Sequence, residues 1–360
     1  MGLFMPELAD GPADDTRRNP TIGMPLSNTG LHFNCVEVAE RAGKSARRHM
    51  IDLTELFERD WPHALEVAAT VERLTEPRPR FAELSLDRPR IMGIINVTPD
   101  SFSDGGKHDT AARAIEHGLR LAAEGADILD VGGESTRPGS DPVPLAEELR
   151  RVLPVIEGLR ARTDVRISID TRKAEVMHQA AKAGVDILND VSALTHDLDA
   201  LDAAAVTGLP VILMHAQGDP KTMNDNPVYG DLVLDVYDFL SGRIAACEAA
   251  GIVRAKLCID PGIGFGKHLH HNVRMMAHLS ILHGLGVPIL LGASRKKMIA
   301  QLCDVPKPED RGPGSLATEM VGLAQGVQIV RVHDVAATRQ ARSVWLASTM
   351  GAEPAAGGKF

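Results

Sequence analysis

From residue 91 onward, short apolar runs alternate with longer amphipathic stretches, and this rhythm limits the fold more than any other feature of the chain. The runs are 91–96, 128–132, 165–170, 185–190, 210–215, 255–260, 288–292 and 327–333. Between them, segments such as 111–124, 174–183, 232–250 and 272–285 carry helix patterning. Eight strand-then-helix units over about 250 residues is the count and size of a (β/α)8 TIM barrel, an α/β fold. A doubly wound sheet is the alternative, but it usually has fewer strands and often opens on a glycine-rich dinucleotide turn. No G-x-G-x-x-G precedes the first helix here.

The first run shows how each unit is built. Ile91, Met92, Ile94 and Ile95 suit a strand covered on both faces. Pro99 cannot continue a ladder, and Asp100, Asp104, Gly105 and Gly106 bring turn chemistry. Asn96 is therefore delivered to the C-terminal end of a strand, where parallel α/β proteins bind their ligands. The other runs end in the same polar way. They give Gly132-Gly133-Glu134-Ser135-Thr136-Arg137, Asp170, Asn189-Asp190, His215, Asp260, Ser294-Arg295-Lys296, and Arg331 with His333. One Asp at a strand end is often a helix cap, and Asp170 or Asp190 alone is open to that reading. Capping does not account for eight polar ends converging on one mouth.

The groups sort by chemistry. Asp170, Asn189 and Asp260 suit a flat heterocycle with exocyclic N–H groups, because a buried carboxylate facing two parallel donors makes a strong bidentate contact. Arg295, Lys296, Arg331 and His333, with the neutral amide of Asn96, suit a polyphosphate accompanied by a divalent metal. A substrate with a nitrogen-rich ring at one end and a pyrophosphate at the other fits both. The stretch from Asp260 to Lys267 is not a Walker loop: Gly262 and Gly266 are four apart and His268 follows the lysine. It reads as a close-packed turn headed by Asp260, in which glycines let Phe265 or a flat ligand approach the backbone. His268, His270 and His271 lack tetrahedral ligand spacing and read as the exposed start of a helix. Met275, Met276 and Met298 read as packing residues, and Cys258 as a buried small hydrophobe.

Composition excludes several classes. The formal charge of −9 argues against a general nucleic-acid binder. Aromatics are only 3%, so the core rests on aliphatic side chains. Cys35, Cys247, Cys258 and Cys303 show no C-x-x-C spacing. A reduced cytoplasmic setting is the expectation. The first residues lack the basic and apolar regions of a signal peptide, and no stretch approaches a membrane span.

Residues 1–77 form an extension expected to be partly disordered and partly helical. Gly11-Pro12, Asn19-Pro20 and Met24-Pro25 break any period up to about residue 44, whereas Leu53, Leu56, Phe57, Leu65, Ala68 and Val71 recur at helical spacing. A partner surface, a lid support and a solvated appendage are all open for it. The barrel is expected over 78–350 with a flexible tail over 351–360, and a strand hint from Phe81 to Leu86 is placed to cap the barrel bottom.

The run Asn96-Val97-Thr98-Pro99-Asp100-Ser101-Phe102-Ser103-Asp104-Gly105-Gly106 and the run Gly132-Gly133-Glu134-Ser135-Thr136-Arg137-Pro138-Gly139 resemble dihydropteroate synthases. So do Asp260-Pro261-Gly262, Ser294-Arg295-Lys296 and Arg331-Val332-His333-Asp334, in the same order from about residue 78 to 350. The resemblance implies a pterin-binding TIM barrel, a transferase that joins 6-hydroxymethyl-7,8-dihydropterin diphosphate to 4-aminobenzoate in folate biosynthesis. It implies that Asp170, Asn189, Asp260 and Lys296 hold the pterin, with Met214 and Phe265 lining the pocket. Thr136, Arg137, Arg331 and His333 match the diphosphate groups, and Asn96 the Mg2+ residue. Ser294 matches the position receiving the aminobenzoate carboxylate, with Phe102, Pro138 and Lys296 around that ring. Asp170, Lys296 and Asp104 are the catalytic candidates, with Asp100 beside Asp104 as the other loop carboxylate. Segments 97–108 and 133–141 are expected to close over the site. The family also implies a homodimer paired through the late helices. Ile263 stands where some relatives carry Phe.

Two rivals are distinguishable. A methyltetrahydrofolate-type methyltransferase would share the pterin pocket without needing the anion sites at Ser294–Lys296 and Arg331/His333. A non-catalytic paralogue would be expected to have lost some of those groups, and all are present.

Overall fold

The computed structural model describes residues 2–3, 23–43, 45–97, 107–135, 140–218, 221–223 and 225–350. All eight apolar runs are strands: β1 Arg90–Asn96, β2 Ile128–Gly132, β3 Arg166–Asp170, β4 Ile187–Asp190, β5 Val211–Met214, β6 Leu257–Asp260, β7 Leu290–Leu291 and β8 Ile329–Val332. They pair in parallel in the order β6-β5-β4-β3-β2-β1-β8-β7. A parallel bridge from Ile259 to Ile289 joins the two ends and closes the barrel.

The pleat divides each strand between two environments. Met92, Ile128, Ile187, Ile212, Cys258, Leu290 and Ile329 form one buried cluster together with Phe81 and Leu86. Their sequence neighbours Ile91, Leu129, Leu188, Val211, Ile259, Leu291 and Val330, with Ile167 of β3, belong to a second cluster, shared with the surrounding helices. The first cluster is the inner layer at the barrel bottom. Phe81 pairs with Leu84 through a short bridge, is 1% exposed and plugs that layer.

The helices follow their patterning. Ala174–Ala183 buries Ala174, Val176, Met177 and Ala180 on one side. It stops at Gly184, whose φ of +98° lets its N–H reach back to Ala180 and Ala181. Leu232–Ala249 starts at Asp231, whose carboxylate accepts from the N–H groups of Val233 and Leu234. The stretch expected as one helix over 272–285 is divided between α-helix Leu269–Ala277 and 3-10 helix Leu279–Leu285. Helices Gly312–Ala324 and Val335–Met350 pack together with Glu319 buried between them, its carboxylate accepting from Thr338 Oγ1 at 2.9 Å.

The extension departs from expectation. Instead of a weakly structured stretch up to residue 44, strands Cys35–Ala42 and Ser45–Asp52 form an antiparallel ribbon around a turn in which Gly43 has φ +63°. Residues 4–22 and 351–360 lie outside the described residues. Helices Leu53–Glu58 and Ala64–Thr75 follow the ribbon, within the stretch expected to be helical. Leu26, Phe33, Val36, Ile51, Leu56, Trp61 and Leu74 give this module a core of its own, against which Trp345 also packs. The ribbon is fastened to the barrel by charge. Arg48 donates to Asp231 at 2.9 Å and to Glu37 at 3.1 Å, and Arg41 reaches Asp235 at 2.9 Å. Arg73 and Arg78 donate to the carbonyls of Gly284 and His283. The extension is thus neither a loose appendage nor disordered over its described length.

Replacing Phe81 with Ala removes the plug and opens a cavity. Urea denaturation is expected to show a loss of about 3–4 kcal/mol. Activity per folded molecule should be retained, because the polar ends lie at the opposite mouth. Burial raises the Glu319 carboxyl to about 7 from its ordinary 4.5, opposed by the Thr338 bond. A carboxyl raised on folding contributes stability that is complete below pH 4.5 and is lost as pH climbs through 7. Glu319→Gln should therefore gain on the parent between pH 5 and 8, by on the order of 1–3 kcal/mol, in paired denaturation curves.

Candidate active site

Two residues above the apolar plug, the inward positions change character. They are Ile94, Asp130, Ser168, Asn189, Met214, Asp260, Gly292 and Arg331, as the pleat requires. The register sets Asn96, Gly132, Asp170 and Asn189 side by side across β1 to β4, and Met214 beside Asp260 across β5 and β6. Glycine occupies two of these positions, where an added Cβ would meet the carboxylates only at ordinary contact distance. A Cβ on Gly132 would lie 3.5 Å from the Asp170 Cβ, and one on Gly292 would lie 3.4 Å from Asp260 Oδ2.

The centre of the mouth is an ion cluster. Arg331 Nε donates to Asp130 at 2.6 Å and its NH2 to Asp170 at 2.8 Å. Asn189 Nδ2 reaches Asp130 at 3.3 Å. Burial raises the Asp170 carboxyl above the ordinary carboxylate range. Arg331 opposes that, and Asp130 and Asp190 add to it. Burial also works against the Arg331 charge, but Asp130 and Asp170 outweigh it and hold the guanidinium above its ordinary value. Asp130 is fully buried and was not among the residues expected from sequence. Its signal was there: a charge in the middle of the apolar run Ile128-Leu129-Asp130-Val131, two residues from a polar strand end.

Asp260 Oδ1 accepts the Gly262 N–H at 2.7 Å, and burial raises its carboxyl against that bond and the charges of Lys296, Arg331 and Lys267. Gly262 has φ +68°, and a Cβ there would fall 1.9 Å from the His215 carbonyl oxygen, so only glycine fits. Lys267 does not face the mouth. Its Nζ caps the carbonyls of Gly262 at 3.0 Å and Phe265 at 3.2 Å and meets His215 Nδ1 at 2.8 Å. Burial lowers that ammonium to about 7. Lys296 Nζ sits 4.1 Å from the Phe265 ring centroid, a cation–π contact that holds both at the pocket edge. Ser294 Oγ lies 3.1 Å from His333 Nδ1.

Several expectations change. His215 is buried and turned to Lys267, so it is not one of the converging ends. Asp190 caps the turn after β4, accepting from Ser192 N and Oγ at 2.6 Å and Leu194 N at 3.1 Å; for it the capping reading holds. Arg295 belongs to no open cationic rim, because Asp334 takes its guanidinium in a two-pronged ion pair. Arg331 is likewise paired, yet 19% of its side chain stays exposed to receive a ligand. Asn96, Asp170, Asn189, Met214, Asp260, Phe265, Ser294, Lys296, Arg331 and His333 are all described. Phe102 and Asp104, in 98–106, and Thr136, Arg137 and Pro138, in 136–139, lie outside the described residues. Cys258 belongs to the bottom layer, where burial pushes its thiol well up, and it is no nucleophile. His268 and His270 are exposed at the start of helix Leu269–Ala277. Met275, Met276 and Met298 are buried.

Among the described residues no three His, Cys, Asp or Glu side chains gather into a ready metal site. Asn96 offers one neutral amide oxygen at the end of β1. This donor set suits a hard cation that keeps its waters and arrives on phosphate oxygens.

Comparison with known proteins agrees with this geometry. The family model for pterin binding enzymes matches residues 92–333. The dihydropteroate synthase of Escherichia coli K12 is 50% identical over 261 residues, which is 72% of this chain and 92% of that one. The Xanthomonas albilineans dihydropteroate synthase structure with 4-aminobenzoic acid has a TM-score of 0.71 at 54% identity, covering 75% of this chain and 96% of that one. The structure of the Xanthomonas albilineans enzyme in complex with 7,8-dihydropteroate has a TM-score of 0.68 at 50% identity, covering 75% and 97%. In sequence and in barrel geometry, the chain belongs to the dihydropteroate synthase family.

Proposed function

We propose that this mouth joins 6-hydroxymethyl-7,8-dihydropterin diphosphate to 4-aminobenzoate, giving 7,8-dihydropteroate and pyrophosphate. One arrangement carries the assignment: Asp170 is ion-paired to Arg331, whose side chain stays 19% exposed, with Asn189 beside it in register and Asp260 on an inward position of the same barrel mouth. The carboxylates and the amide match the N–H edge of a pterin, with Met214 and Phe265 as its apolar walls and Lys296 at its rim. Arg331 and His333 stand on the diphosphate side, where Thr136 and Arg137 would add to them. Ser294 receives the aminobenzoate carboxylate, and Phe102 and Pro138 are assigned to its ring by their place in the family's motifs.

The chemistry needs no protein nucleophile. The bond between the pterin methylene and the diphosphate oxygen breaks, and the electron pair leaves with pyrophosphate. Arg331 and His333 stabilise the charge that gathers there. The cationic methylene is favoured by the electron-rich ring and by carboxylates, Asp170 and the Asp104 or Asp100 of the first loop. The aminobenzoate nitrogen then forms the new C–N bond and gives up a proton. Asn96 would hold a Mg2+ carried in with the diphosphate, which supplies charge neutralisation for the leaving group. Closure of the loops around 97–108 and 133–141 would exclude water.

We also propose a cytoplasmic setting and a homodimer. No helix among the described residues is long and apolar enough to cross a membrane, and the cysteines show no C-x-x-C spacing. Val273, Leu302 and Val321 are exposed apolar residues on three neighbouring late helices, a surface suited to pairing.

The deciding assay measures pyrophosphate release from pterin diphosphate and Mg2+ with and without 4-aminobenzoate. Release that depends on aminobenzoate, with dihydropteroate formed, is the expected result, and pterin binding without turnover would refute the assignment. Asp260→Ala should weaken 6-hydroxymethylpterin binding at least about 100-fold by calorimetry, since it removes a bidentate acceptor. Retained affinity would sink the pocket assignment. Arg331→Ala should raise the pyrophosphate Kd about tenfold or more. It also strands Asp170 without its cation, which raises that carboxyl further. The variant should then lose more stability at pH 8 than at pH 6, read by parallel melting curves.

A further inference from the structure

Arg295 lies between two residues assigned to the site, Ser294 and Lys296, and is itself the odd one among them. Its φ is +57°, a left-handed conformation that a residue with a Cβ enters only at a cost. The surroundings hold it there on every side. Its backbone N–H donates to Ser315 Oγ at 2.9 Å, and its carbonyl accepts from Arg311 NH1 at 2.8 Å. Its guanidinium grips Asp334 with Nε at 3.1 Å and NH2 at 2.5 Å. Asp334 directly follows His333, and His333 in turn meets Ser294 through its Nδ1 and its backbone N–H. The loops after β7 and β8 are therefore joined twice, once by the Ser294–His333 contact and once by the ion pair beside it. Lys296 has its own support in the Phe265 ring.

We propose that Arg295 and Asp334 are positioning residues for the aminobenzoate half of the reaction: their ion pair fixes the spacing of the two loops and so sets the Ser294 hydroxyl. This rests on the assignment of Ser294 to the aminobenzoate carboxylate. The pair does not touch substrate. Its geometry is planar and two-pronged, which lysine cannot reproduce. The side chains are 28% and 36% exposed, so the pair's own contribution to stability is small.

The test uses the full chain with Arg295→Ala, Arg295→Lys, Asp334→Asn, Asp334→Ala and the double variant Arg295→Ala/Asp334→Ala. Wild-type turnover is measured first, and its absence would refute the enzymatic assignment rather than the positioning role. Given turnover, each single alanine variant should raise the aminobenzoate KM about tenfold while kcat falls less than about threefold. The 6-hydroxymethylpterin Kd should move less than about twofold, because Lys296 and Asp260 are held independently. The double variant should be no worse than either single one, as expected for two halves of one contact. Arg295→Lys should fall between Arg295→Ala and wild type. Asp334→Asn keeps the shape and supplies the answer if an alanine variant fails to fold. An unchanged aminobenzoate KM, additive effects in the double variant, or equal losses of pterin and aminobenzoate affinity would each overturn the proposal.

Discussion

Parallel strands that close on themselves leave one side of every strand facing a space that only side chains can fill, and the rest of this protein follows from that constraint. At the bottom the space is filled by Met92, Ile128, Ile187, Ile212, Cys258, Leu290 and Ile329, sealed by Phe81. Two residues further along the same strands stand Asp130, Asn189, Asp260 and Arg331, with Asp170 at the end of β3 beside Asn189. Burying carboxylates in such a place is unfavourable unless a cation and hydrogen bonds accompany them. Arg331 supplies that cation to Asp130 and Asp170 together, and Gly262 supplies a backbone N–H to Asp260. The layer is therefore self-compensated before any substrate arrives, and its dipoles are already oriented. A ligand finds a rigid polar floor resting on a packed apolar one.

The extension obeys the same economy of partners. Its ribbon could not fold on a few apolar residues alone, and it builds a core of Val36, Ile51, Leu56, Trp61 and Leu74 under its helices. Its fastening to the barrel is ionic and runs through Asp231, the capping residue of helix Leu232–Ala249. Arg48 of the ribbon and Arg274 of the next helix both donate to that carboxylate. The extension thus grips the point where the segment after β5, which carries His215 and Gln217 behind the pocket, becomes a helix. Gly266 packs against Gln217 there, with no room for a side chain.

Much of this was legible in the chain. Strand positions follow from short apolar runs, because a strand buried on both faces has no polar residues to hide. The inward set at the mouth follows from the polar ends of those runs. What stayed hidden depended on partners distant in sequence. Arg295 and Asp334 lie in different loops, so a cation at a strand end was read as part of an anion site when its charge was already matched. His215 ended a strand like the others, but Lys267 drew it behind the wall. Asp130 hides inside an apolar run, although a lone charge there is costly and points to a partner across the barrel. The glycines and prolines upstream of the ribbon mask its strand pattern in the sequence. The alternation of Val36 and Val38 and the turn at Gly43 were the signal.

The way the barrel is sealed has a kinetic consequence. β1 finds its neighbour β8 only near the far end of the chain, and the Arg48–Asp231 contact also spans most of the protein. Such long-range pairings are slow to form, since a large loop must close before any contact rewards it. On the ribosome, β1 to β7 would emerge with at least one unpaired edge, and the ribbon would wait for helix Leu232–Ala249 before its arginines found their carboxylates. The nascent chain therefore depends on the self-contained pieces that can form early. The extension, with its own core and an antiparallel hairpin closed by a short turn, is one such piece, and it precedes the barrel in the chain.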